Sequence, residues 1–307
     1  MALPEAFEHY IEENRLLTRD DRVLLTVSGG VDSMVMLSLF ARCGYCVGVA
    51  HCNFQLRGAE SDEDEVLVAD EAARLGAVCY NRRFDTQAEM ERTGESMEMA
   101  ARRLRYAWFE ELRCEHGYTA IAVAHHADDS VETFFINLLR GTGLRGLTGI
   151  SQQIGRIVRP LMFASRKEIL EYAVANKIRF REDSSNRSTK YLRNKVRLGL
   201  IPRIREINPK FTSLMQRNIA RLTEAQRFID RAIERIRTEA VTSDGGIDTI
   251  RTDRNGLAVS KPLPLGRYKI VESKAAEFYG IDQTPIAVEI EYAGQIVKAA
   301  MTNKALY

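Results

Sequence analysis

Residues 23–33, VLLTVSGGVDS, place a pair of glycines and a Val-Asp-Ser tripeptide directly after a short apolar run. The run from Val23 to Val27 is apolar or β-branched throughout, which is typical of a strand buried on both faces of a parallel sheet. The turn leads into MVMLSLFARC at residues 34–43, which is predicted to be a helix. A strand, a tight turn and a helix in this order are the first unit of an α/β fold, and free amides at the helix start face the turn.

Strands and helices continue to alternate along the first half of the chain. This alternation predicts an α/β fold with a doubly wound parallel sheet, whose ligands bind at the carboxyl ends of the strands. The further strands are expected at residues 45–50, 77–80 and 119–124, and the further helices at 60–75, 96–116 and 128–139.

The pattern changes after Gly155. The elements expected there are a helix at 165–176, a polar loop at 183–188, a long amphipathic helix at 211–236 and strands at 265–271 and 286–292. The apolar stripe of the long helix is typical of a core or of a dimer seam, so a homodimer is one expected assembly. The predicted parts are a catalytic domain at 1–210, a long helix of a helical linker or second domain at 211–240 and a small β-rich C-terminal region at 241–307.

The composition is that of an ordinary folded protein. Of 307 residues, 45% are hydrophobic and 28% are charged, and at about 100–200 residues per domain the length suggests two domains. No apolar run reaches the roughly 18–20 residues of a membrane span, and the charged amino terminus does not resemble a secretory signal. A cytoplasmic protein that does not enter the membrane is therefore expected. The five cysteines are scattered and do not suggest a disulfide framework.

Positive charge is concentrated in one stretch. The net charge of the chain is only +2, but residues 156–205 contain 14 Lys and Arg against four Asp and Glu. Segregated charge often marks a surface that binds a polyanion, although a solvated helical surface would give the same count. Nucleic acid is therefore a candidate partner.

The loop between the first strand and the first helix contains groups that bind phosphate. Gly29 and Gly30 allow a tight turn and a close approach of the backbone to a ligand, and amides at the helix start favour an anion. Ser28 and Ser33 add hydroxyl donors, and Asp32 suits such a site if Mg²⁺ bridges its carboxylate to the phosphates. No Gly-Lys-Ser/Thr follows, so the loop is not a Walker A sequence.

The sequence SGGVDS at residues 28–33, placed after a strand, resembles the SGGxDS signature of the N-type ATP pyrophosphatases. The resemblance implies an adenine-nucleotide-binding sheet of the PP-loop type. It also implies an enzyme that cleaves ATP between the α and β phosphates and adenylates an oxygen, with ATP and Mg²⁺ as cofactors.

Later motifs narrow the resemblance. They are HCNFQLRG at 51–58, HHADD at 125–129, RGTGL at 140–144, RPL at 159–161, DSSN at 183–186 and RN at 193–194, followed by Arg197. In this order they resemble the tRNA(Ile)-lysidine synthetases, across about residues 20–210. That resemblance implies adenylation of the C2 carbonyl oxygen of the wobble cytidine in the CAU-anticodon isoleucine tRNA. The ε-amine of free lysine then displaces AMP. Many members of the family carry a second C-terminal domain for the tRNA acceptor stem, and residues from Ala240 onward do not resemble it.

Residue chemistry and the resemblance together indicate the site residues. The attacking amine must be neutral, so His126, Asp129 and Glu132 are candidates for accepting its proton or for holding the lysine ammonium, and the spacing of the last two places them on one helix face. The predicted catalytic residues are Asp32, Arg102, His126, Asp129 and Glu132. The predicted nucleotide-binding residues are Ser28, Gly29, Gly30, Val31, Asp32, Ser33, His51 and Arg105, with Asp32 also as metal ligand. The predicted substrate or tRNA contacts are Asn53, Arg57, Glu98, Arg140, Gly141, Asn186, Arg193, Asn194 and Arg197.

Structural alternatives and rival functions remain open at this point. Asp128 could be only a helix N-cap, and the charged residues of the 96–116 helix could be an exposed ion-paired surface. A tRNA sulfur transferase would share the adenylating loop and could use the Cys43–Cys46 pair, although one CxxC is little support for it. A non-catalytic tRNA-binding module is a rival of a different class, and the intact loop with Asp32 and Ser33 argues against it.

Overall fold

The computed structural model describes residues 2–56, 58–181, 192–242, 250–253, 257–272, 274, 281, 284–292 and 295–301. Its helices are α1 (Leu3–Glu13), α2 (Val31–Arg42), α3 (Ala59–Arg74), α4 (Thr86–Thr93), α5 (Met97–Glu115), α6 (Ala127–Arg140), α7 (Arg166–Ala175), α8 (Leu192–Lys195), α9 (Ile201–Ile207) and α10 (Phe211–Thr242). Its strands are β1 (Arg22–Thr26), β2 (Cys46–Asn53), β3 (Val78–Arg83), β4 (Ala120–Val123), β5 (Gln153–Ile154), β6 (Ile157–Val158), β7 (Gly266–Ile270) and β8 (Ile286–Ile290). A 3₁₀ turn at Leu144–Thr148 and a π-helical turn at Val196–Leu200 complete the elements.

The first six strands form one sheet in the order β3-β2-β1-β4-β6-β5. All neighbours are parallel except the edge strand β5. The predicted doubly wound α/β fold is therefore confirmed. The chain passes from β1 to β2 and β3 on one side and returns to β4 on the other, so the strand order reverses between β1 and β4. In sheets of this kind a ligand binds in the crevice at the carboxyl ends of the two strands where the order reverses.

The central strand β1 is buried on both faces. Leu25 packs with Phe40 of α2 in one hydrophobic cluster, and Leu24 packs with Trp108 and Phe109 of α5 in the cluster on the opposite face. Because both faces are covered, the buried residues Val23–Leu25 of this strand are all apolar rather than alternating with polar ones. Both clusters hold the end of β1, and hence the glycine turn, in a fixed position.

The helical region after the sheet packs on α6. Val131 and Ile136 of α6 form a third cluster with Val196, Phe211 and Ile219. The first turns of the predicted apolar stripe in α10 are thus core residues of this domain. Compact units divide at Glu224 and Ala225, whereas the sequence suggested boundaries at residues 210 and 240.

The short hairpin of β5 and β6 was not predicted. Each strand has two residues, too few for a periodic pattern, and the turn between them is Gly155-Arg156. β6 pairs in parallel with β4, and the register joins Ala122 to Val158. As a result the next residue, Arg159, lies at the carboxyl edge of the sheet.

The C-terminal unit, residues 225–307, contains the antiparallel pair β7 and β8. Tyr268 pairs with Val288 and Ile270 with Ile286, whereas Arg267 pairs with Glu289 on the other face. The small β-rich C-terminal piece is therefore confirmed. None of the helices that the structure describes is both long and apolar enough to span a membrane.

Candidate active site

The glycine turn after β1 is held in shape by its own serines. The Ser28 amide donates to Ser33 Oγ at 3.1 Å, and Ser33 Oγ donates to the Gly30 carbonyl at 2.9 Å. Gly29 has φ of +90°, and a Cβ there would stand 3.4 Å from the Cβ of Asp64. Glycine suits this position because φ would strain any side chain, whereas the contact of an added Cβ with Asp64 would be an ordinary one. The hydroxyls of Ser28 and Ser33 stabilise the loop, and their contact with phosphate stays a prediction.

Helix α2 begins at this turn and points its first amides at the crevice. Its N-cap is Gly30, which has no side chain to accept from those amides. An anion bound in front of the helix would therefore satisfy donors that the fold leaves available. The geometry suits a phosphate group at the end of β1.

Asp32 lies in the first turn of α2 and faces the crevice. Its Oδ2 is 3.7 Å from an Arg166 guanidinium nitrogen and 3.8 Å from His126 Nε2, whereas its buried Oδ1 has no hydrogen-bond partner among the described residues. Burial raises the pKa of Asp32, and the charges of His126 and Arg166 oppose this. A buried carboxylate oxygen without a donor suits a divalent cation, which binds oxygen ligands.

A cation bound at Asp32 would need further ligands from the substrate. Within the described part of the chain, no group of three His, Cys, Asp or Glu side chains is arranged to hold a metal ion. The residues therefore fit Mg²⁺ that arrives with phosphate oxygens and water as its other ligands, rather than an ion held by the protein alone.

The second part of the site lies at the end of β4, where α6 begins. The His126 backbone amide donates to Asp129 Oδ2 at 3.0 Å, and His126 Nε2 is 3.5 Å from the same oxygen. Arg197 donates to both oxygens of Glu132, at 2.6 and 3.0 Å, and to Asp129 Oδ1 at 3.3 Å. Asp129 and Glu132 thus lie on one face of α6 as predicted, and a single guanidinium bridges them.

The surroundings of the two carboxylates shift their pKa values in opposite directions. Burial acts to raise the pKa of Asp129, but the nearby rings of His126 and His125, the His126 amide and the Arg197 guanidinium lower it overall. Burial raises the pKa of Glu132 despite the hydrogen bond from Arg197. Two acids whose pKa values differ in this way can have different roles, because one stays ionised while the other takes up a proton more readily.

These contacts join the two parts of the site into one chain of ionisable side chains. It runs from the glycine turn to the segment after residue 191, through residues that are far apart in the sequence. Its members, in order, are Arg166, Asp32, His126, Asp129, Arg197, Glu132 and Arg193.

Other predicted residues have structural roles. His51 is buried, with Nδ1 2.8 Å from the Val27 carbonyl oxygen at the end of β1. Asn53 is also buried, and its amide donates to Asp62 and Glu65 at the start of α3. Their contacts with nucleotide or tRNA stay predictions, since both side chains are already engaged within the fold.

The predicted residues of α5 lie on its outer side. The Arg102 guanidinium lies 5.0 Å from the centre of the Tyr106 ring, and Arg105 lies 5.1 Å from that of Phe54. Glu98 is exposed in the first turn. The arginine and aromatic groups are suited to stacking on a base or binding an anion.

The remaining predicted contacts are spread more widely. Arg140 and Gly141 lie at the far end of α6, about 16 Å along the helix from Asp129. Arg193 is 43% exposed and donates to Thr133 Oγ1 at 3.2 Å, whereas Asn194 is buried. The positions Arg57 and Asn186 lie outside the described residues.

The structure also brings in residues that sequence reasoning missed. Asp128 accepts from the Arg166 backbone amide at 2.7 Å and pairs with Arg205, so it ties α7 and α9 to the start of α6. The only sequence signal for Arg166 and Arg205 is the basic stretch, which does not say which arginine meets which acid. His125 is not among the predicted site residues, although its neighbour His126 is.

His125 should stay neutral throughout the ordinary pH range. Burial lowers its pKa to about 4; Asp129 opposes the shift, while Arg159, Arg193 and His126 add to it. The unfolded chain binds this proton near 6.5, so the stability that this group contributes is present above pH 6.5 and is lost as pH falls toward 4. A ring-proton NMR titration of wild type, with His125→Gln to assign the resonance, should give a midpoint near 4. A midpoint near 6.5 would contradict the buried environment.

The CxxC pair lies at the wrong edge of the sheet for the sulfur chemistry considered above. Cys43 ends α2 and Cys46 begins β2, so both are at the amino end of that strand. Asp32 and Asp129 lie at the carboxyl ends of β1 and β4. The pair is thus separated from the site by the length of the strand, and the alternative is not favoured.

The fold and the crevice define the class of protein. The family model described as a PP-loop domain matches residues 3–204, and the chain belongs to that family. A solved structure of a U34-tRNA thiolase, NcsA from Methanococcus maripaludis with its [4Fe-4S] cluster, shares the fold. The TM-score is 0.59 at 15% identity, covering 72% of this chain and 79% of that one.

Curated relatives identify the family more closely. A tRNA(Ile)-lysidine synthase of Chlorobaculum tepidum is 43% identical over 75% of this chain and 71% of its own length. That of Parabacteroides distasonis is 45% identical over 76% of this chain and 54% of its own length. The chain belongs to the tRNA(Ile)-lysidine synthase family. The chain spans about half the length of the Parabacteroides distasonis protein and of two further curated relatives with the same description. A second model, described as a prealbumin-like fold domain, matches residues 229–305.

Proposed function

We propose that the protein uses ATP to activate the wobble cytidine of a CAU-anticodon isoleucine tRNA and couples free lysine to it. The observation that carries the proposal is the direct link from the glycine turn, through Asp32 and His126, to the paired acids Asp129 and Glu132. One end of this site suits the departure of pyrophosphate, and the other suits an amine. Family membership supports the same reaction.

The first step forms a bond between the cytidine C2 oxygen and the α-phosphorus of ATP, and the bond to pyrophosphate breaks. The amides at the start of α2 stabilise the negative charge that accumulates on pyrophosphate. Asp32 would hold Mg²⁺, which supplies a Lewis acid for the phosphate oxygens. Arg166 lies beside the same carboxylate and adds positive charge at the crevice.

The second step forms a bond between lysine Nε and C2, and the C2–O bond breaks to release AMP. The ε-ammonium must first lose a proton. Asp129, whose pKa is lowered, stays ionised and attracts the ammonium, and Glu132, whose pKa is raised, accepts the proton more readily. Arg197 holds the two carboxylates side by side.

The residues of both reaction steps lie in the first part of the chain. We propose residues 1–210 as the catalytic domain, with α10 leading to the separate C-terminal unit. The reaction needs ATP, lysine and tRNA together, which supports the cytoplasm as its place. A homodimer stays a prediction from the apolar stripe of α10.

The test is an assay with a CAU-anticodon isoleucine tRNA transcript and ATP, with and without lysine. Pyrophosphate is measured, and the tRNA is digested and read by mass. A lysine-dependent mass gain on the anticodon cytidine is expected. Pyrophosphate release without that gain would leave the adenylating step in place and overturn lysine as the nucleophile, and a sulfur donor would be tried next.

Arg193→Ala should weaken tRNA binding and flatten its salt dependence. The guanidinium is 43% exposed at the rim of the site, where it can reach a phosphate. Loss of one contact should reduce the slope of log K against log salt by about 0.7–0.9. Filter binding across a salt series measures this, with Arg92→Ala on α4, also an exposed arginine, as the control. An unchanged slope would count against a phosphate contact.

A further inference from the structure

Arg159 is a buried arginine at the carboxyl edge of the sheet, directly after β6. Only 5% of its surface is exposed. Its backbone amide donates to the Gln152 carbonyl at 2.9 Å, and one terminal nitrogen of its guanidinium donates to the Ser151 carbonyl at 2.7 Å. The β5–β6 hairpin therefore fixes this side chain, which belongs to the RPL motif at 159–161 and has no part in either step described above.

The Arg159 guanidinium has no acidic partner in the described part of the chain. Its buried Nε lacks a hydrogen-bond partner among those residues. Tyr106 of α5 acts on it as a further polar neighbour, and the charge of Arg102, another cation, acts on it as well. Arg102 itself lies over the Tyr106 ring and forms no ion pair with a described residue. Two arginines that are both close to Tyr106, and that have no carboxylate partner among the described residues, offer a site for an anion.

The neighbours of Arg159 indicate which anion. Leu161, two residues after Arg159, pairs in parallel with His126, the residue before α6. The charges of both Arg159 and Asp129 act on the His125 ring, so the arginine and the acid pair are both close to His125. His125 is neutral and does not compete for the anion. Acids and nearby arginines that lack an acidic partner among the described residues are complementary to a zwitterion, a molecule that carries both an ammonium and a carboxylate.

A phosphate is a poorer fit than a carboxylate at this place. Arg159 follows β6, two strand spacings or about 10 Å from β1, whose turn already offers amides for phosphates. The burial of Arg159 suits a small free molecule that enters the crevice better than the backbone of a folded RNA, which meets the protein surface.

We infer that Arg159, together with Arg102, binds the α-carboxylate of the amino acid that the protein couples to RNA. The inference rests on the proposed function and deepens it. The acids hold the side-chain ammonium that reacts, and the arginines hold the carboxylate at the other end of the same molecule. Arg159 is thus a specificity-determining residue that separates lysine from simple amines.

The test compares lysine with cadaverine, which keeps the amine and lacks the carboxylate. With the full chain, ATP and tRNA transcript, kcat/KM is measured for each amine in wild type and in Arg159→Gln. The ratio for lysine over cadaverine should fall on the order of 10- to 100-fold in the variant, because a hydrogen-bonded charge contact is lost. A ratio cancels any effect that is common to both amines.

Control variants keep the test decisive. Arg102→Gln changes an exposed residue and should lower the same ratio even if Arg159→Gln fails to fold, whereas Arg103→Gln on the same helix, paired with Glu95, should not. A ratio that stays constant in both Arg159→Gln and Arg102→Gln overturns the inference. So does a rise in the KM for tRNA with an unchanged ratio, which would indicate an RNA phosphate. Failure of the wild type to couple lysine at all overturns the proposed function itself, and the inference with it.

Discussion

Asp32→Asn should abolish adenylation while tRNA binding stays close to that of the wild type. The substitution keeps the size of the side chain but removes the negative charge of a carboxylate whose buried oxygen accepts from no donor among the described residues. Stabilisation of the departing pyrophosphate then depends on the amides alone, and a loss on the order of 10³-fold in pyrophosphate release is expected. Pyrophosphate release with tRNA and ATP measures it.

The stability of this variant separates a chemical role from a structural one. Because burial raises the pKa of Asp32, the ionised side chain is disfavoured by the fold at neutral pH. Asp32→Asn should therefore unfold at a temperature equal to or above that of the wild type. Asp70→Asn, an exposed acid on α3, is the matched control and should keep full activity. Normal pyrophosphate release by Asp32→Asn would remove Asp32 from the mechanism.

Glu132→Ala should have the second large effect, on both stability and the coupling step. Glu132 is 3% exposed and accepts two hydrogen bonds from Arg197, which is 22% exposed. Removing one member of a buried pair leaves the other charge uncompensated, which costs about 3 kcal/mol in the free energy of unfolding. Urea unfolding followed by circular dichroism measures this loss.

The coupling step of the Glu132 variant should fall by about 10²- to 10⁴-fold, the usual contribution of a general base. The double variant Glu132→Leu with Arg197→Met tests whether that loss is only instability. It replaces both charges with apolar groups of similar size, so stability should recover while lysine transfer does not. Recovery of lysine transfer in the double variant would show that neither charge takes part in the reaction.

The C-terminal unit and the rest of the chain match different family models. The PP-loop match ends at residue 204, and the prealbumin-like match begins at residue 229 within α10. The sequence suggested that residues from Ala240 onward depart from the lysidine synthetase pattern. The residues that depart from the pattern are those that match a different family model, and they contain the antiparallel β7–β8 pair.

Local features of the sequence determined the fold class and the centre of the site. The buried strand, the glycine turn and the helix of residues 23–43 are contiguous, so apolar pattern and turn chemistry were enough to predict them. The prediction that Asp129 and Glu132 lie on one face of a helix followed from their spacing in the same way. These features depend on contacts between near neighbours in the chain, which a sequence displays directly.

Tertiary structure alone decided which arginine meets which acid. Arg197 pairs with Glu132, Arg166 lies beside Asp32, and Arg159 pairs with no acid among the described residues, yet all three come from one basic stretch of similar composition. Their partners depend on the strand order, on the unpredicted β5–β6 hairpin and on the packing of α8 and α9 against α6. Charge attracts any opposite charge, so only the packed positions of the backbone select a single partner.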